Sequence, residues 1–141
     1  MFCVTRELHF CYGHRLLRYE GKCRHLHGHN GRAVISLRTP VLDQAGMVLD
    51  FSELKRVLGG WIDATLDHKM LLHRDDPALP FLQELGEPVY VMDVNPTAEN
   101  IARLIFEQAK RQGFPVAQVQ LWETEHCWAA YGENESGGAG D

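Results

Sequence analysis

Residues 2–14 read FCVTRELHFCYGH, and their alternation sets the fold. Phe2, Val4, Leu8, Phe10 and Tyr12 share one parity, interrupted by Arg6, while Cys3, Thr5, Glu7, His9 and Cys11 share the other. A period of two over such a length predicts a strand with one buried face. His14 closes the apolar parity and is expected on the core side at the strand's end, unless Gly13 bulges the chain there.

Outward from this strand the chain supplies alternating partners and two amphipathic helices. RAVISLRT (32–39) predicts a second strand, approached through GKCRHLHGHNG (21–31). Asp50-Phe51-Ser52-Glu53 resembles a capping box with Asp in the place of Ser or Thr. Behind it Leu54, Val57, Leu58, Trp61, Ile62, Thr65 and Leu66 recur at helical spacing, weakened but not interrupted by Gly59 and Gly60. Residues 69–94 are irregular and read as a long loop, with VYVMDV as a short strand within it. Asn95-Pro96 reads as an N-cap and first helical residue. Ala98, Ile101, Ala102, Ile105 and Ala109 form that helix's buried stripe, and Gly113 ends it. VAQVQLWE and HCWAAY close the chain as two strands, a candidate hairpin. The expectation is α+β: a four-stranded antiparallel sheet carrying two helices, in one domain over residues 1–132. The tail ENESGGAGD (133–141) has nothing to bury and is expected to be disordered.

Bulk properties exclude several function classes. The formal net charge of −5 argues against nucleic acid and anionic membranes, which reward clustered Lys and Arg. No apolar run of about 18 residues is present, so no spanning helix is expected. The start MFCVTRELHF lacks a signal-peptide core, which points to the reducing cytoplasm. Cys3, Cys11, Cys23 and Cys127 are therefore read as free thiols, mostly small buried residues.

The chemistry concentrates in CRHLHGH (23–29). On an extended segment His27 and His29 project from one face, about 7 Å apart along the backbone, and can converge on one Zn2+. His25 is a third candidate that spacing alone does not separate from them. His14 offers a further ligand, brought near by antiparallel return into the second strand. Three histidines and an open position make a catalytic zinc pattern; Cys23 as a fourth ligand would make a structural one. Asp67-His68 ends the first helix, either as a solvated terminus or as an acid/base histidine supported by a carboxylate. Glu123 shares the apolar parity of Val119 and Leu121, as does Glu125 beyond it. Either the strand simply emerges into water at Trp122 and Glu123, or this carboxylate at the end of a buried face meets a ligand with paired N–H donors.

In chain order occur FxxxH (Phe10–His14), a cysteine ahead of HGH (Cys23–His29), VLDF (Val48–Phe51), LDHK (Leu66–Lys69), NPTAEN (Asn95–Asn100) and WET (Trp122–Thr124). With these motifs the chain resembles the 6-pyruvoyl-tetrahydropterin synthase family, in its bacterial 6-carboxy-tetrahydropterin synthase branch, from residue 10 to about 131. The resemblance implies the tunnelling fold (T-fold), with two helices inserted between strands two and three of a four-stranded antiparallel sheet. It implies a homo-oligomer with active sites at subunit interfaces. It implies His14, His27 and His29 as zinc ligands, Cys23 as catalytic base, and Asp67 with His68 as its proton-transfer partners. Glu123 would anchor the pterin, with Thr97 and Glu99 nearby. The implied reaction converts 7,8-dihydroneopterin triphosphate to 6-carboxy-5,6,7,8-tetrahydropterin, releasing acetaldehyde and triphosphate, on the way to queuosine. The sister activity, 6-pyruvoyl-tetrahydropterin formation, is the alternative, and a non-catalytic protein with structural zinc is the more distant one. The chain departs from the family's pattern at FCYGH, where small residues are usual around the histidine, and in a longer 69–94 segment.

Overall fold

The first strand, β1, runs from Phe2 to His14 in the computed structural model, which describes residues 1–133. It pairs antiparallel with β2 (His27–Thr39), in an unbroken register from Phe2↔Thr39 to His14↔His27. Gly13 does not bulge the strand. Instead β2 begins earlier than its apolar alternation suggests, at His27, so the HGH histidines lie on the strand itself. Glycines and polar residues in HGHNG mask the period; the pairing with β1 imposes it.

β5 (Val116–Trp122) pairs antiparallel with β2, and β6 (Trp128–Gly132) pairs with β5, the expected closing hairpin. These four strands form the antiparallel sheet expected from the sequence. The full sheet has six strands, in the order β4-β3-β1-β2-β5-β6. β3 (Lys69–His73) runs parallel to β1, and β4 (Val89–Met92) runs parallel to β3. The expectation of a long loop over 69–94 is thus corrected, except for its short strand VYVMDV, which is β4. Its strands are too short to show a period, and Leu71 and Leu72 are both buried, as in a parallel strand covered on two faces.

One sheet face carries the helices. α1 (Phe51–Leu54) widens into a π-helical stretch (Lys55–Gly59) and continues as α2 (Gly60–Thr65). Asp50 caps it by accepting from the Ser52 N–H at 2.9 Å; Glu53 does not complete a box but pairs with Arg56. A short α3 (Ala78–Glu84) lies between β3 and β4, with Pro80 tolerated in its first turn, where the N–H has no helical partner. α4 (Ala98–Arg111) ends at Gly113, whose φ of +89° suits the left-handed position after a helix. Its N-cap is Thr97, which accepts from Asn100 N–H at 3.1 Å, and not Asn95.

Leu54, Leu58, Ile62 and Leu66 on one side, and Ile101, Ile105 and Phe106 on the other, pack onto Ala33, Ile35, Leu37, Val119 and Leu121. Each fully buried aliphatic side chain contributes about 1.5–3 kcal/mol. The opposite face is polar and more open. There Trp122 and Trp128 stack at 4.0 Å, with the Arg32 guanidinium 4.3 Å above Trp122. None of the four cysteines is buried, against expectation. Cys3 and Cys11 sit on the outward parity of β1, and Cys23 and Cys127 lie in turns. Among the described residues no helix is long and apolar enough to cross a membrane. Glu133 pairs with Lys110 at 2.8 Å, and the rest of the expected disordered tail, 134–141, lies outside the described residues.

Candidate functional site

His14 and His27 are the last facing pair of β1 and β2, and His29 faces Tyr12 one step inside. All three imidazoles therefore project from the core face at one end of the sheet. Their ligating nitrogens lie within 4.8 Å of one another. His14 is 2% exposed. Its Nδ1–H donates to the Pro96 carbonyl at 2.6 Å, and the Nδ1–H of His27 donates to the His25 carbonyl at 2.7 Å. Both Nε2 atoms are thereby left to converge. Burial, more than the opposing pull of Pro96 and Glu123, holds the His14 pKa below its ordinary value, with His27 and His29 adding to the effect. The imidazole stays neutral, the form that binds metal. Nε2 of His29 lies 3.1 Å from Nε2 of His14. Two nitrogens about 2.0–2.1 Å from a tetrahedral Zn2+ would be roughly 3.3 Å apart. The donor set fits zinc with one position open. His25 is exposed, and its part in this cluster is its carbonyl, which orients His27.

Glu123 follows β5 on the same face. Its backbone N–H donates to the Cys127 carbonyl at 3.0 Å, closing the β5–β6 turn. Its carboxylate lies 3.8 Å from His14 Nε2 and 3.7 Å from His29 Nε2. The Tyr12 hydroxyl donates to it at 3.3 Å. Burial first, then the Glu123 charge and hydrogen bond, push the Tyr12 phenol well above its ordinary range, so it remains a donor. Glu125, of the same parity, is exposed.

Asp67 and His68 follow α2 and lie against β1. Cys11 N–H donates to Asp67 Oδ1 at 3.0 Å, and His68 N–H donates to the Cys11 carbonyl at 2.7 Å. The His68 ring donates from Nδ1 to Asp67 Oδ2 at 2.9 Å, so Nε2 is the ring nitrogen turned away from the carboxylate. Burial works to raise the Asp67 pKa and is outweighed by these hydrogen bonds and the charges of His68 and Lys69, so the carboxyl is held below its ordinary value. His68 adopts φ +59°, a left-handed backbone that a side chain rarely takes. A cleft of about 620 Å³ is lined by His27 and His29 together with Cys11 and His68, so both groups open onto one space.

The structure does not bring Cys23 to either group within one chain. Cys23 sits in a 3-10 turn (Lys22–Arg24), where its carbonyl accepts from Leu16 N–H at 2.8 Å. The thiol beside His68 is that of Cys11, 3.4 Å from Nε2 and 3.5 Å from Nδ1. Near-equal distances favour neither nitrogen as the partner, which makes this an indifferent hydrogen bond. Thr97 uses its oxygen as the α4 cap, and Glu99 is exposed in that helix's first turn. Sequence reasoning missed the structural work of the same motif. Asn95 clamps Leu17 with two hydrogen bonds of 2.8 Å, and Pro96 orients His14. It missed Asp76 too, a buried carboxylate that holds Arg15, the residue after His14.

Comparison sets this geometry among known proteins. The family model described as 6-pyruvoyl tetrahydropterin synthase matches residues 3–134. A 6-carboxy-5,6,7,8-tetrahydropterin synthase of Rickettsia typhi is 38% identical over 135 residues, covering 91% of this chain and 98% of the relative. The solved structure of Caenorhabditis elegans 6-pyruvoyl tetrahydropterin synthase superposes with a TM-score of 0.70 at 26% identity, over 94% of this chain and 95% of that one. An uncharacterised Wolinella succinogenes protein superposes at 0.79 with 29% identity, over 94% and 98%. The tunnelling fold expected from the sequence is the fold of this chain, with two short parallel strands added at one edge.

Proposed function

Because the chain belongs to the 6-pyruvoyl tetrahydropterin synthase family and is a lyase of that family, we propose that it forms 6-carboxy-5,6,7,8-tetrahydropterin. The substrate is 7,8-dihydroneopterin triphosphate, the co-products are acetaldehyde and triphosphate, and the product feeds the deazapurine of queuosine. The observation that carries this reading is the convergence of three histidines with the Glu123 carboxylate beside them, next to a cleft that His27 and His29 line together with His68.

His14, His27 and His29 would hold Zn2+, which when bound supplies polarisation of the substrate's side-chain oxygens. Glu123 presents two oxygens to the ring N–H and 2-amino group of the pterin, a paired charge-assisted contact that fixes the ring. Asp67 fixes the His68 tautomer by taking its Nδ1–H, so that Nε2 is the atom that gives or takes a proton on the substrate side chain. The Cys23 thiol removes the proton on the other side. Each such proton transfer is worth about 10²–10⁴ in rate. One water is consumed as triphosphate leaves, and the pterin ring gains the electrons that the side chain loses, so the conversion balances without an external oxidant.

Cys23 and His68 belong to one reaction on this reading but do not meet in one chain. A homo-oligomer, with Cys23 of one subunit facing Asp67 and His68 of a neighbour, reconciles the two. The family description and the Caenorhabditis relative favour the sister reading, 6-pyruvoyl-tetrahydropterin formation by triphosphate elimination. Structural zinc with Cys23 as fourth ligand is disfavoured, because Cys23 falls outside the histidine cluster. Incubation of the zinc-loaded protein with 7,8-dihydroneopterin triphosphate separates the readings. Acetaldehyde released mole for mole with triphosphate supports the carboxy-forming reaction; triphosphate without acetaldehyde overturns it in favour of the sister activity.

A further inference from the structure

Two demands compete for Glu123. Its oxygens lie 3.7–3.8 Å from the Nε2 atoms of His29 and His14, close enough to swing onto an ion held there. Anchoring a substrate requires the same oxygens to stay off the metal. A carboxylate joining three histidines would complete a four-coordinate shell and close the position that catalysis uses.

Tyr12 stands where this choice is made. It is 3% exposed, stacked on Phe10, with its ring edge to His14 at 5.3 Å and tilted to His29 at 5.7 Å. Its hydroxyl reaches Glu123 Oε1 at 3.3 Å, long for a hydroxyl–carboxylate contact (about 2.5–3.0 Å), as befits a carboxylate shared between a phenol and two imidazoles. The ring needs a seat without a side chain, and Gly31 supplies it: a Cβ there would lie 2.9 Å from Tyr12 Cε1. The bulky residue in FCYGH and the small one in HGHNG are thus parts of one arrangement.

We propose that Tyr12 is a positioning residue that tethers Oε1 of Glu123 beside the three-histidine site. The tether keeps one metal position open and the carboxylate turned to the substrate. The assignment rests on the metal and pterin roles given above, but its first test needs no substrate. Cobalt(II) loaded in place of zinc reports coordination number through its visible absorption, and a chelator competition reports metal release. In Tyr12→Phe the ring and its packing remain while the tether is lost. Glu123 then joins the metal: the cobalt spectrum moves towards a shell with one more protein ligand, and release slows about tenfold. Both changes vanish in Tyr12→Phe/Glu123→Gln. Gly31→Ala, which displaces the ring, moves the spectrum the same way and is likewise silenced by Glu123→Gln. With substrate, KM rises about tenfold while kcat changes far less, because the carboxylate must be displaced before binding. An unchanged spectrum and release rate in Tyr12→Phe, a change that persists without Glu123, or a Tyr12→Phe protein that takes up no metal would each overturn the proposal. Failure of the KM result alone, with the cobalt results as expected, counts against the pterin reading instead.

Discussion

Nε2 of His29 faces Nε2 of His14 at 3.1 Å, while the Nδ1–H of His14 is committed to the Pro96 carbonyl. Without a cation, one of the two facing nitrogens must carry a proton; with one, both lone pairs are used. His14→Ala and His29→Ala should therefore each weaken metal retention by more than the ~10–100-fold that an outer-shell partner costs. Metal content after dialysis against a chelator reads this directly. Retention of a full equivalent by either variant contradicts the assignment.

Asp67 and His68 are held by the main chain of Cys11, through its N–H and its carbonyl. Cys11→Ala keeps both anchors. Its turnover should fall by less than the ~100-fold that loss of a general acid or base costs. A larger loss, at unchanged metal content and melting temperature, would make Cys11 rather than Cys23 the thiol that moves a proton.

The segment after His14 is fastened by Arg15, whose guanidinium grips Asp76 through Nε, 2.7 Å from Oδ2, and through Nη2. The Asp76 side chain is fully covered, whereas Arg15 keeps about a quarter of its surface. The Arg15 contact, opposed by burial and helped by the Ala78 N–H and the charges of Arg15 and His73, holds the Asp76 pKa below its ordinary value. A depressed carboxylate pKa contributes stability above the unfolded value of about 3.9, and that stability is lost as pH falls through the folded value. Denaturant unfolding from pH 7 downward should show this loss below about pH 4 in the wild type. Asp76→Asn should start about 2–4 kcal/mol less stable at pH 7 and lack that part of the acid dependence. Equal stability at pH 7 would show that the pair does not fasten the segment.

Thr97 caps α4, and the residue before it supplies the carbonyl that orients His14. Thr97→Ala should lower stability by about 1 kcal/mol, and weaken metal retention by about tenfold through the shifted carbonyl. Thr97→Ser should restore both. A raised KM with stability and metal retention unchanged would instead place Thr97 against the substrate.

The parts legible in the sequence are those where burial acts on a regular period. The β1 alternation carries through to His14, and the α4 stripe from Ile101 to Ala109 is the buried face of that helix. The start of β2 was hidden because HGHNG has no apolar period; its extended form comes from hydrogen bonds to β1. VYVMDV read as a short strand and is β4, but β3 was hidden because a short parallel strand takes its identity from its neighbours. At the site, parity placed Glu123 and His14 on the same face. Parity also made Tyr12 look like one more core residue, since its hydroxyl matters only through Glu123, which is distant in sequence. The meeting of Cys11 with His68 depends on how α2 returns to β1, and no local spacing encodes that return.

On the proposed function the histidines hold the metal while Cys23 is kept out of its shell for chemistry. The metal content of Cys23→Ala protein tests it most directly. One equivalent retained per chain, with melting unchanged and acetaldehyde release lost, is the predicted result. Loss of the metal with loss of the fold would contradict it and make CRHLHGH a structural zinc site.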